Sequence, residues 1–128
     1  MSRETEAAGT GLAALIEQGG EICGVISLDS IDPANRSSEI GYWLREDCQG
    51  RGLATRAAAS LIEYAFSVLG LNRLAIRAAT ENHRSRAVAD RLGFVEEGIL
   101  REAAQRDHHF VDLALYALLR RDFELERG

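Results

Sequence analysis

No lysine occurs anywhere in this chain of 128 residues; all 15 of its basic side chains are arginine. That absence removes two chemistries at once, the phosphate-binding lysine of nucleotide hydrolases and the lysine that forms a Schiff base. Cysteine is nearly as scarce. Cys23 and Cys48 are too few for a disulfide framework, and neither has a cysteine or histidine at zinc-finger spacing, so no metal site is expected. Cys23 sits in an apolar run and reads as core. A single proline and 46% hydrophobic residues exclude a disordered chain. No apolar run approaches the roughly 20 residues that span a bilayer, so no membrane partner is expected. The opening MSRETEAAGTG lacks the apolar core of a signal peptide, which makes the cytoplasm the expected location. A net charge of −5 argues against non-specific nucleic-acid binding, which needs basic patches to neutralise phosphates.

What the chain does contain predicts one domain over 1–128, with 1–10 as a linker or disordered leader. Leu12 to Glu17 and Glu21 to Asp29 are apolar runs separated by Gln18-Gly19-Gly20, the pattern of a β-hairpin. IDPANRSS is a polar turn, and Ser38 to Leu44 reads as a third strand. Leu53, Ala54, Ala57, Ala58, Leu61, Ile62, Ala65, Phe66 and Leu69 recur at helical spacing, with Gly70 as the C-cap. Leu74, Ile76 and Ala78 alternate as a fourth strand. Asn82 is placed to cap a short helix that Gly93 stops. Val95 to Arg101 and Phe110 to Leu119 complete the pattern around a polar turn at Gln105 to His109. The predicted order is β-β-β-α-β-α-β-β, an α+β fold with a mixed sheet and two helices.

Two strand-to-helix junctions carry the chemistry. The first, DCQGRGLATRA, places Gly50 and Gly52 directly before a helix. A helix start exposes unpaired N–H groups and the positive end of the macrodipole, and bare glycines let an anion approach them. The second is TENHRS, from Thr80 to Ser85.

Here the sequence resembles the GNAT acetyltransferase superfamily, whose signature Q/R-x-x-G-x-G/A is matched by Gln49-Gly50-Arg51-Gly52-Leu53-Ala54. SEIGYWL before the loop and ENHRSRAVADRLGF after it extend the likeness from about Gly11 to Phe123, toward the RimJ/RimL-like branch of ribosomal-protein N-terminal acetyltransferases. The resemblance implies an acyl-CoA N-acyltransferase fold with a mostly antiparallel sheet. It implies acetyl-CoA as donor substrate and an amine as acceptor, a protein N-terminus or a small molecule. Amides from Arg51, Gly52, Leu53, Ala54 and Thr55 would face the pyrophosphate, which a side chain at Gly50 or Gly52 would hold off, with Gln49 leading the motif. Arg51 or Arg56 would add charge-assisted contacts. Backbone groups of Trp43, Leu44 and Arg45 would meet the pantetheine, and Asn82 would tie the second junction to it. The Trp43 side chain reads as core or as acceptor-pocket wall.

For the chemistry, an α-amine with pKa near 8 is about one-tenth neutral at pH 7, so a modest base suffices. Many relatives place a tyrosine acid in the second helix, where this chain has Ala89; the branch resembled here carries a serine instead, and Ser85 fills that place as thiolate partner. The branch's glutamate aligns with Ala104, which leaves Glu102, two residues earlier on the same face of an extended strand, and Glu39 as candidate bases. His108 and His109 read as surface residues. The family's N-terminal strand and two helices are missing, so the fold is expected to be N-terminally truncated. Leu12 to Glu17 would then be an open sheet edge, inviting a homodimer. The alternatives to a protein N-terminal acetyltransferase are a small-molecule amine acetyltransferase and a catalytically weak acyl-CoA-binding module.

Overall fold

A computed structural model describes residues 4–7 and 11–127. Seven strands form one sheet, β1 (Glu4–Ala7), β2 (Gly11–Gln18), β3 (Glu21–Asp32), β4 (Ser37–Leu44), β5 (Arg73–Ala79), β6 (Val95–Arg106) and β7 (His109–Leu119), in the order β1-β2-β3-β4-β5-β7-β6. Helix α1 (Leu53–Ser67) follows β4, α2 (His83–Arg91) follows β5, and α3 (Arg120–Arg127) follows β7. All neighbouring strands are antiparallel except β4 and β5.

The core lies between one face of the sheet and the two inner helices. On α1 the residues Leu53, Ala54, Ala57, Ala58, Leu61, Ile62, Ala65 and Phe66 are all buried, as their spacing predicts. Small alanines on this stripe let the helix lie close to the strands. They meet Ile26, Leu28, Ile40 and Leu74 in one cluster. At roughly 1.5–3 kcal/mol per fully buried large side chain, this stripe is what holds the helix in place.

Several expectations need correction. The helix ends at Ser67, so Leu69 is exposed and Gly70 turns the chain in a left-handed conformation beyond the cap residue Val68. A third helix exists because Phe123 packs on Phe66 with ring centroids 5.2 Å apart, a contact that periodicity does not announce. β2 is not an open edge: β1 pairs with it from Glu4↔Ala14 to Ala7↔Gly11. That strand removes the basis given for self-association and places 4–7 in the sheet instead of in a linker. β6 runs past Arg101 to Arg106, with register shifts between Glu96 and Gly98 and between Leu100 and Ala104.

On the other sheet face, Leu15, Val25 and Trp43 stand side by side across three strands. Trp43 is 63% exposed, so it is not a core residue.

Candidate active site

The first junction is fastened from below. Arg45 N–H donates to the Cys23 carbonyl at 2.8 Å, and its guanidinium pairs with Asp47 at 3.0 Å. The ion pair holds the Asp47 carboxyl below its ordinary range, chiefly through the hydrogen bond from Arg45. Both cysteines are buried, and the Cys48 thiol is pushed up by its hydrogen bond with Cys23 and by desolvation. The chain then passes through Gly50 at φ +78° and Gly52 at φ +74°, values that a side chain would make costly.

No side chain caps α1. The amides of its first turn are therefore left for an external acceptor. Within that turn, the Thr55 hydroxyl is buried and has no hydrogen-bond partner. The Arg56 guanidinium folds back onto the Arg51 carbonyl at 3.2 Å, over the loop. Uncapped amides, an orphaned hydroxyl and a nearby guanidinium fit an anion of phosphate type. Arg51 turns instead to Gln18, at 3.0 Å.

Beside this loop the sheet opens. β4 and β5 pair only at Ser37↔Arg73, Ser38↔Leu74 and Glu39↔Ala75, and then part. The cleft between them holds about 1180 Å³, with Ile40 to Leu44 on one side, Ile76 to Ala79 on the other, and both junctions at its rim. Backbone groups alternate in direction along an antiparallel strand. Since Arg45 N–H and the pairs Val25↔Trp43 and Ser27↔Gly41 belong to the β3 side, Ile40, Tyr42 and Leu44 turn theirs to the opening. Of the three expected backbone contacts, Trp43 and Arg45 are thus committed to β3, and Leu44 faces the cleft. The Leu44 carbonyl accepts from Gln49 Nε2 at 3.4 Å, and Gln49 Oε1 accepts from Arg84. Gln49 so ties the two junctions together through Arg84, a partner that sequence spacing does not reveal.

At the second junction Asn82 caps α2, its Oδ1 accepting from Ser85 N–H at 3.1 Å. Ser85 lines the cleft, and its Oγ lies 3.0 Å from the Tyr42 hydroxyl. Tyr42 is a second residue that the sequence did not single out.

The two candidate bases are placed less favourably. Glu39 is clasped by Arg77 through two contacts, 2.9 Å at Nε and 3.0 Å at Nη2. Glu102 sits in the β6 irregularity at φ +47°, exposed, with its N–H donating to Asp112 Oδ1 at 2.8 Å. The expected alternation past Leu100 fails there, and Glu102 does not line the cleft. A third carboxylate, Asp29 of β3, reaches over Gly41, where a Cβ would come within 2.8 Å of its Oδ2.

A half-split sheet with an uncapped helix start beside the split defines a cleft for an extended ligand with an anionic head. The chain belongs to the GNAT acetyltransferase family: the model of the acetyltransferase (GNAT) domain matches residues 1–95. Two ribosomal acetyltransferase relatives support its place in the RimJ/RimL-like branch. It is 45% identical over 117 residues to the protein named "Putative ribosomal N-acetyltransferase YdaF" of Bacillus subtilis strain 168, covering 91% of this chain and 64% of YdaF. It is 40% identical over 97 residues to the ribosomal-protein-serine acetyltransferase of Escherichia coli K12, covering 76% of this chain and 54% of the relative. Against the spermidine N(1)-acetyltransferase of the same strain it is 36% identical over 86 residues, covering 67% and 46%. The structure of the microcin C7 self-immunity acetyltransferase MccE with acetyl-CoA and AMP superposes with a TM-score of 0.80 at 36% identity, covering 86% of this chain and 61% of that one. The chain thus spans between about half and two thirds of the length of the curated relatives it matches. Among the described residues, no helix is long and apolar enough to cross a membrane.

Proposed function

We propose that this chain transfers an acetyl group from acetyl-CoA to the α-amine of a protein N-terminus. The observation that carries the reading is the uncapped start of α1, with its two left-handed glycines and unpartnered Thr55 hydroxyl, set beside the open edge of β4. The loop would bind the pyrophosphate through amides of residues 51–55, with Arg56 beside them. The inward-facing groups of Ile40, Tyr42 and Leu44 would pair with the amides of the pantetheine arm, as an added strand does. Bound there, acetyl-CoA supplies an activated acyl group. A backbone N–H of that edge would stabilise the charge that develops on its carbonyl oxygen. Ser85 would protonate the departing sulfur, and the free amine fraction needs no strong base.

Charge supports this choice of acceptor. Of five arginines that line the cleft, Arg77 is paired with Glu39 and Arg56 stands beside the pyrophosphate, which leaves Arg84, Arg91 and Arg106, with Glu81 the one acidic lining residue among those described. A polyamine bears several positive charges and is disfavoured by such walls, whereas a peptide N-terminus carries one. The stronger likeness to ribosomal acetyltransferases supports the same choice.

The test pairs calorimetry with turnover. Acetyl-CoA at a hundredfold excess over its dissociation constant should raise stability by about 2.7 kcal/mol. Serine-initiated peptides should be acetylated in preference to spermidine. Preference for spermidine would replace the acceptor reading. Binding without turnover on either class would leave an acyl-CoA-binding module.

A further inference from the structure

The proposed reaction gives the Tyr42 hydroxyl no task. Tyr42 lies on β4 with its neighbours Ile40 and Leu44 buried, so its ring points to the helix side of the sheet, where Ser85 stands at the start of α2. The two hydroxyls are 3.0 Å apart and belong to residues 43 positions apart in sequence. Both line the cleft. A hydroxyl holds one proton and two lone pairs. The phenol is the stronger acid of the two, so it donates and the Ser85 oxygen accepts. That arrangement turns the Ser85 proton outward, away from Tyr42. The Ser85 N–H is meanwhile fixed by Asn82 Oδ1 at 3.1 Å, which anchors the backbone that carries the hydroxyl.

We propose that Tyr42 is a positioning residue that acts through Ser85, aiming and resupplying the proton which Ser85 delivers to the leaving sulfur. The idea rests on the acetyltransferase reading above and deepens it. In the step, the amine nitrogen bonds to the acyl carbon and the carbon–sulfur bond breaks, its electron pair going to sulfur. Sulfur takes the Ser85 hydroxyl proton while the Ser85 oxygen takes the Tyr42 proton. The phenolate left behind is reprotonated by the proton that the amine nitrogen loses, carried by water, so amine and thioester become amide and thiol with no net change in the protein. A serine alone is a poor acid for this purpose; a serine backed by a phenol is a better one.

The experiment is a double-mutant cycle on the full chain with acetyl-CoA and a peptide acceptor. Tyr42→Phe keeps the ring and removes the hydroxyl. It is expected to lower kcat about 10- to 100-fold, leaving the KM for acetyl-CoA and the melting temperature essentially unchanged. Ser85→Ala should cost on the order of 10²–10⁴-fold, and the double variant should cost no more than Ser85→Ala alone. In mixed light and heavy water, the wild-type rate should depend on isotope fraction with the curvature of two protons in flight, and Tyr42→Phe with the straight line of one. An unchanged kcat in Tyr42→Phe beside an active wild type would overturn the relay alone, as would a double variant whose loss is the product of the two single losses. A wild type that binds acetyl-CoA and turns over no amine would overturn the acetyltransferase reading, and the relay with it.

Discussion

The two strand-to-helix junctions answer the same problem in opposite ways. Each ends a strand and must satisfy the free amides of a helix start. At α2 the chain satisfies itself: Asn82 bends its side chain back onto Ser85 N–H. At α1 no side chain does so, two glycines hold left-handed turns, and a buried hydroxyl is left without a partner. A self-capped helix start presents side chains to the cleft; an uncapped one presents backbone. The difference fits the proposed roles, the first junction holding an anion and the second displaying the Ser85 hydroxyl.

The sharpest way to break the contrast is to give α1 the cap it lacks. In Gly52→Asp, a carboxylate would occupy the anion's place. Aspartate tolerates a left-handed conformation better than most residues, so the fold should survive with a lower melting temperature, the left-handed φ of +74° costing roughly 1–2 kcal/mol. Repulsion of about 4 kcal/mol, for unit charges some 4 Å apart near a surface, would reduce acetyl-CoA affinity by roughly a thousandfold. Calorimetry showing wild-type affinity in a folded variant would refute the phosphate role of this loop.

The converse change, Asn82→Ala, should do the opposite kind of damage. Removing the cap is expected to cost about 1 kcal/mol of stability, read as a lower urea midpoint. Acetyl-CoA affinity should fall far less than in Gly52→Asp. A variant as stable as wild type would show that α2 does not depend on its cap.

The smallest effect concerns the fastening beneath the first loop. Because Arg45 lowers the Asp47 pKa, the pair contributes only where Asp47 is ionised. Its contribution is present above the ordinary carboxylate range and is lost as pH falls through the lowered value. Asp47→Asn should therefore differ slightly from wild type in urea midpoint at pH 7, and the difference should vanish in acid. A difference that persists below the carboxylate range would assign the effect to packing instead.

The contrast between the junctions was largely legible in the sequence, because it is written in local chemistry. Glycines before a helix, an asparagine three residues before a serine, and an alanine stripe at helical spacing each act within one turn of chain. The parts that escaped depend on distant neighbours. Tyr42 and Ser85 meet only because β4 passes under α2. Glu39 is taken by Arg77, on a strand 38 residues away in sequence. Glu102 leaves the cleft because β6 breaks register before it, and no alternation rule survives a bulge. The helix α3 forms where Phe123 finds Phe66, a tertiary contact that overrides weak local preference.

The early parting of β4 and β5 also sets how the molecule breathes. By position β4 is the middle strand of seven, the place where amide protons usually exchange last. By behaviour it is an edge, since beyond Glu39 the amides of Ile40, Tyr42 and Leu44 have no strand to receive them. The slowest-exchanging heart of the sheet is therefore divided into two blocks joined by three rungs. A ligand lying along that seam takes the role of the missing strand, so occupancy would be recorded as new protection in the centre of the sheet.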